Sequence, residues 1–402
     1  MNCTTVNAAS PSMTRGLPAK WAFLLFASIP VSFLAGSAAP TPLYPVYQAM
    51  WGFSPITLTS IFAVYALAVL ASLLVGGRLS DHIGRRPVLI AATLVQAATM
   101  LIFATARNAD ALIVARIVQG LAAGAALAAV GAALLDIDKA RGATANALAP
   151  MIGTGTGAFV AGLCVHFLPA PTQLVYYALF VAFLVQAAGV LLAAETIAPR
   201  KGAWASLSPS FYVPPQVRKP LLLATPALIA TWALAGFYAS LGPTLVRSLL
   251  GHASPLASGL ALFVMAASGV VAVTVLKSGD ARRMMVVGVF SLFIGVAVAL
   301  AALGEASPLM FFVGTAIAGV GFGAGFQGAL RNVVPLEQPH ERAGVLSVIF
   351  VISYLAMGVP AVVAGVMLAL DGSIVSTARD FGAVVMMLAA LAAAGTLRVR
   401  PA

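Results

Sequence analysis

The sequence predicts an all-α integral membrane protein with twelve transmembrane helices in two pseudo-symmetric six-helix bundles. Three observations predict it. The 402-residue chain is 61% hydrophobic and only 8% charged, whereas ordinary soluble domains carry about 25% charged residues. Its apolar residues come in runs, and a run of roughly 18 or more is long enough to cross a bilayer as a helix. The second half of the chain also repeats features of the first.

Taken in order, the first apolar run covers 21–43. It is too long for a signal peptide, and no Ala-x-Ala-like site follows it to open a soluble domain. The next runs are 56–76, 88–105, 111–134, 144–167 and 174–194. A polar stretch rich in Pro, Ser and Lys/Arg then runs from Glu195 to Pro220 and reads as an exposed linker. It separates an N-terminal bundle, 1–195, from a C-terminal bundle, 221–402, with 196–220 as the connection. The second set of runs is 221–243, 256–276, 285–304, 308–330, 344–370 and 378–397. Leu34-Ala35-Gly36 recurs as Leu234-Ala235-Gly236, and Ser54-Pro55 as Ser254-Pro255. Arg85-Arg86 is matched by Arg282-Arg283, and Val160-Ala161-Gly162 by Val363-Ala364-Gly365. All four pairs lie about 200 residues apart, in order, and such internal repeats build the two bundles of many transporters.

The net charge of +11 would suggest nucleic acid on a soluble protein, but its placement explains it better. Lys and Arg gather in cytoplasmic loops. With the N-terminus inside, only Arg107, Arg247 and Arg379 fall outside and only Arg116 falls within a span; the rest of the 22 Lys and Arg are cytoplasmic. Both termini are therefore expected inside, and no nucleic-acid partner is expected. The two cysteines, Cys3 and Cys164, then lie on opposite sides, which excludes a disulfide between them.

The most informative polar stretch is "GGRLSDHIGRRPV", Gly76 to Val88, between the second and third spans. Gly77 and Gly84 permit a tight connection between two helix ends. Asp81 sits at membrane depth, where an unpaired carboxylate is costly, so Arg85 and Arg86 are its expected partners. Arg116 is the one charge well inside a span, and an intramembrane charge is a functional candidate by default. Gln119 shares its helical face. Its expected role is to bind substrate or couple to protonation; the competing reading is an arginine pinned by backbone carbonyls. Gly120 and Gly124 allow another helix to approach, as do Gly153 and Gly157 in the fifth span, where Pro150 adds a kink. The glycines between Gly319 and Gly328 repeat that logic in the tenth span. Tyr65, Trp232, Tyr238, Gln327, Tyr354 and Met357 are candidates for the walls of a substrate cavity, since aromatic and Met side chains suit apolar ligands. For each of them, ordinary packing is an equal alternative.

These stretches carry a resemblance. Gly77-Arg78-Leu79-Ser80-Asp81-His82-Ile83-Gly84-Arg85-Arg86 resembles the G-x-L-[AS]-D-x-x-G-R-[RK] signature of the major facilitator superfamily. Arg116-x-x-Gln119-Gly120 resembles its R-x-x-Q-G motif. "ANALAPMIGTGTG", Ala145 to Gly157, resembles the G-x-x-x-G-P-x-x-G-G motif of its antiporter branches, with Ala145, Ala149 and Thr154 in place of three glycines. The resemblance spans essentially the whole chain. It implies a secondary transporter working by alternating access. It also implies that Asp81, Arg85 and Arg86, in their glycine frame, form a latch holding the halves together at the cytoplasmic face.

The expectation is proton-coupled efflux of a drug or metabolite, with the export direction resting on the span-five motif. An importer of a sugar or organic anion, with Arg116 binding the anion, is the alternative; a non-transporting sensor is a remote one. No span carries an acidic residue at its middle, which favours neutral or anionic substrates over lipophilic cations. His166 could titrate near neutral pH, although such a histidine more often just faces the membrane interface. There is no ATP-binding P-loop and no metal-ligand spacing. His82, His166, His252 and His340 are dispersed, so an enzyme is not expected. No cofactor is expected beyond the proton gradient. The expected partners are a small-molecule substrate and the lipid bilayer. The expected state is a monomer in a bacterial inner membrane.

Overall fold

Short polar residues followed by proline or an apolar run start most of the long helices. Ser54, Asn108, Asp138, Ser254, Asp280 and Ser307 each accept a hydrogen bond from the backbone N–H three residues on. That satisfies one of the four donors that every helix start leaves free. Pro55, Pro255 and Pro308 then occupy the first turn, where the missing N–H is no loss.

The computed structural model describes residues 16–209, 211–338 and 340–398; Cys3, Arg15 and Arg400 lie outside the described residues. Among the described residues, twelve helices are long and apolar enough to cross a membrane. In chain order the helices are α1 (Ala19–Ala38), α2 (Tyr44–Trp51), α3 (Pro55–Gly76), α4 (Ser80–Ile83), α5 (Arg85–Thr105), α6 (Ala109–Ile137), α7 (Lys139–Phe167) and α8 (Leu174–Leu192). The second bundle contains α9 (Pro215–Ser240), α10 (Gly242–Leu250), α11 (Pro255–Leu276), α12 (Ala281–Gly304), α13 (Pro308–Val333), α14 (Arg342–Asp371) and α15 (Ile374–Arg398). No strand occurs among the described residues.

Three short helices were not expected. Prolines at 40 and 42 end the first span, and the chain restarts as α2; Gly242-Pro243 does the same between α9 and α10. A continuous apolar run hides these breaks, although the prolines mark them. α4 is a single turn inside the polar loop. The seventh span starts at Pro215, inside the stretch read as linker, because Pro214 and Pro215 begin a helix rather than prevent one.

Each bundle packs internally in the same way: α3 on α6 and α5 on α8 in the first, α11 on α13 and α12 on α15 in the second. The halves meet along two seams, α7 against α11 and α3 against α14. The first seam is close enough that a Cβ at Gly259 would meet the backbone of Ala158 and Phe159. At the end away from the Gly77–Arg86 loop, the Thr41 hydroxyl donates to the Ala239 carbonyl at 3.0 Å, tying the end of the first span to that of the seventh.

The repeat holds at atomic detail but in a shifted register. Arg86 donates from Nε to the Val190 carbonyl and from Nη2 to that of Leu191, at the end of α8. In the second half Arg282 does the same to Thr396 and Leu397 of α15. The counterpart of Arg86 is therefore Arg282, one place from the pairing read off the sequence. Ala281, the first residue of α12, stands where Arg85 opens α5.

Candidate functional site

The Gly77–Arg86 loop is built around Arg85. Its side chain is buried, and its Nη1 donates to Ser80 Oγ at 2.7 Å and to the Asp81 carboxylate. Its Nε donates to Asp136 Oδ2 at 3.3 Å, at the end of α6. Thr196 donates to the same Asp136 oxygen. The backbone N–H groups of Arg85 and Arg86 donate to Glu195 Oε1 and Oε2, at 2.9 and 3.0 Å. The Glu195 carboxylate thus covers the start of α5, where unpaired N–H groups and the helix dipole favour negative charge. Of the two arginines expected to pair with Asp81, Arg85 reaches it and Arg86 turns to α8. Gly84 holds φ +102° and serves the turn, while Gly77 has ordinary helical backbone but leaves no room for a Cβ, which would fall on the Leu73 carbonyl.

The loop also holds the linker. Arg200 N–H donates to the His82 carbonyl at 2.8 Å, His82 Nδ1 lies 3.1 Å from the Lys201 carbonyl, and Arg78 donates to Ser208. The polar partners of this loop among the described residues come from the first half and the linker. Glu195 and Asp136 were not singled out from sequence. The signal available was their position, one opening the polar stretch and the other closing the fourth span, both at the level of Arg85.

Arg116 is completely buried in α6. Its Nη1 donates to the Ser37 carbonyl at 2.8 Å and to Gln119 Oε1 at 2.7 Å; its Nη2 donates to the Tyr44 hydroxyl at 2.6 Å. Gln119 Nε2 continues the chain to the Gly36 carbonyl at 3.1 Å. The guanidinium lies between the rings of Tyr65, Phe103 and Tyr44, 5.2–5.9 Å from their centroids. Aromatic faces stabilise a desolvated cation, and among the described residues no carboxylate reaches it. Arg116 and Gln119 therefore clamp the far end of α1, where two backbone carbonyls lie beside the proline break. Gly120 and Gly124 face the α3 backbone near Tyr65 and Val69, and Gly153 and Gly157 face Val31 and Ala35 of α1. Pro150 lies inside α7, ahead of Gly153 and Gly157.

The proposed wall residues divide into two groups. Trp232 sits 5.1 Å from Tyr354 and 5.4 Å from Phe326, ring to ring. The Trp232 indole N–H and the Ser353 hydroxyl are buried without a hydrogen-bond partner. Gln327 follows Phe326 and is half-buried, and Met357 lies one turn beyond Tyr354 on α14. Tyr65 comes from α3, the helix that faces α14 across the seam. Tyr238 belongs elsewhere: its hydroxyl hydrogen-bonds Thr315 at 2.8 Å inside the second bundle. Phe326, missed from sequence, completes the cluster. His166 is exposed at the end of α7, edge-on to Phe167. Two openings flank the seams. One of ≈ 440 Å³ at the Thr41 end includes Ser54, Leu58, Thr244 and Leu368. One of ≈ 500 Å³ between α1 and α7 includes Phe23, Val31, Arg141 and Thr144.

Comparison with known proteins places this geometry. The chain is 29% identical over 147 residues to the multidrug resistance protein 2 of Bacillus subtilis (strain 168), covering 35% of this chain and 36% of that protein. It is 32% identical over 171 residues to the cephamycin export protein CmcT of Amycolatopsis lactamdurans, covering 41% and 34%. The matches thus span about a third of the length of each relative. Two solved transporters share the fold at 13% identity. A bacterial homolog of the human lysosomal transporter Spinster, inward-facing and unoccupied, superposes with TM-score 0.75 over 96% of this chain and 99% of that one. A mutant of the nucleoside transporter NupG gives TM-score 0.67 over 93% and 98%. The family model of the Major Facilitator Superfamily matches residues 24–361. With that match over most of the chain and twelve membrane spans in place, this integral multi-pass membrane protein belongs to the Major Facilitator Superfamily, a family of transporters.

Proposed function

We propose that this protein exports small, neutral or weakly acidic organic compounds from a bacterial cell in exchange for protons. The observation that carries the substrate class is the Trp232–Phe326–Tyr354 cluster beside the α3–α14 seam. It offers aromatic surface and the unpartnered Trp232 indole N–H and Ser353 hydroxyl, and no span carries an acidic residue at its middle to hold a cation. Apolar walls with a few convergent polar groups are what small-molecule sites generally present. Export is supported by the printed names of the two relatives, a multidrug resistance protein and a cephamycin export protein.

In this reading residues 1–195 rock against 221–402 about the two seams, and the chain works as a monomer in the inner membrane. The loop around Asp81 and Arg85 lies at the cytoplasmic face and holds one end state by binding the linker. Arg116 and Gln119 act by fixing the end of α1, whose proline break must move when the Thr41 end opens. The test is a growth-inhibition panel of neutral and acidic antibiotics in an efflux-deficient host. The intact protein is expected to raise resistance to a subset of them, and Trp232→Ala to abolish that gain at equal membrane abundance. Resistance confined to lipophilic cations, or untouched by Trp232→Ala, contradicts the proposed substrate site.

A further inference from the structure

The fourth and tenth spans occupy equivalent places in the two bundles, and each ends beside a carboxylate. In the first half Asp136 is hydrogen-bonded to Arg85 and Thr196. In the second half the residue after the span is Glu337. Its side chain is 3% exposed, and neither carboxylate oxygen has a hydrogen-bond partner among the described residues. Its one ion-pair contact among the described residues is Arg342 Nε, at 3.6 Å, from an arginine that is itself 56% exposed.

The second half has no substitute for Arg85, because Ala281 opens α12. Three other basic groups at this end are engaged: Arg331 donates to the Gly279 carbonyl, Arg282 to the carbonyls of α15, and Arg218 of α9 to Val213. The charged groups that bear on Glu337 are Arg342, which favours its ionised form, and Glu341, which opposes it. Glu341 receives hydrogen bonds from Gln216 of α9 and from the Gln338 N–H. His340 is exposed.

A buried carboxylate without hydrogen-bond donors is expensive as an anion and acceptable as an acid. We propose that Glu337 is a proton-binding site of this transporter, neutral while buried as described and ionised when water reaches its carboxylate. The proposal deepens the proton-coupled reading above and rests on it for its role in transport. Burial raises the carboxyl from 4.5 to about 7, partly opposed by Arg342 and reinforced by Glu341. The sign follows. Below 4.5 the group is neutral whether buried or open, and above about 7 it is ionised in both states. Between those values the buried state holds one more proton, so each unit fall in pH favours it up to about tenfold. Protonation thus selects the described conformation, and ionisation selects the opened one.

The experiment is an infrared titration of the protonated-carboxyl band of the purified full-length protein, without substrate. The wild type is expected to show one component with a midpoint near neutral pH, absent in Glu337→Gln. Arg342→Gln is expected to move that midpoint upward and Glu341→Gln downward, which keeps the test informative should Glu337→Gln fail to fold. A neutral-pH component that persists in folded Glu337→Gln, or its absence from the wild type, overturns the proposal. Proton-driven flux measured in parallel separates the two readings. Flux without the titration overturns the site and leaves coupled export standing; titration without proton-driven flux supports the site and overturns coupled export.

Discussion

Gly84 carries two requirements at once. Its φ of +102° excludes most side chains, and a Cβ there would fall 2.6 Å from Glu195 Oε2. Gly84→Ala therefore strains the turn and expels the carboxylate that accepts the first N–H groups of α5. A residue with a side chain at this φ and ψ costs roughly 1–3 kcal/mol, and hydrogen bonds to a charged group contribute about 1.5–3 kcal/mol each. With one of the two bonds to Glu195 lost, we predict a destabilisation of about 2.5–6 kcal/mol, read as a lower thermal unfolding midpoint in detergent, and a linker near Arg200 that becomes sensitive to protease. A wild-type midpoint with a protected linker would contradict this arrangement. The motif residues were legible because their types are improbable in an apolar chain. Glu195 was not, since a glutamate at the start of a polar linker looks like any solvated charge until the fold brings it to α5. Glu337 was hidden for the same reason: whether a loop carboxylate is buried depends on packing that no local pattern encodes.

At the scale of elements, the twelve spans were readable from run length alone, because a bilayer-spanning helix must satisfy its backbone internally and be apolar along its length. The short helices α2 and α10 were not, because their residues continue the apolar runs. They matter because α1 and α9 end where they begin, and there Thr41 donates to Ala239. Thr41→Val keeps the shape and removes that bond. A neutral hydrogen bond contributes about 1 kcal/mol, which is roughly a fivefold change in an equilibrium. We predict roughly fivefold faster thiol labelling of Thr244→Cys, beside the opening at this end, in a chain whose Cys3 and Cys164 are replaced by serine. Unchanged labelling would mean that the Thr41 bond does not hold this end closed.

For the whole molecule, the two-bundle architecture follows from a repeat that the sequence displays only in fragments. Contacts of the same kind at Arg86 and Arg282 reveal its register, and they expose where the halves differ: the first keeps Arg85 beside Asp136, while the second offers Ala281 and leaves Glu337 without a hydrogen-bond donor. The cargo is the least legible property, since the proposed site combines Trp232, Phe326 and Tyr354 from three helices that are distant in sequence. Coupled export is most directly tested in inverted membrane vesicles, with an antibiotic to which the protein confers resistance. An imposed acidic interior should drive uptake of that compound into vesicles containing the protein, and collapsing the gradient should stop it. Uptake indifferent to the gradient, or driven by an alkaline interior, would contradict the account.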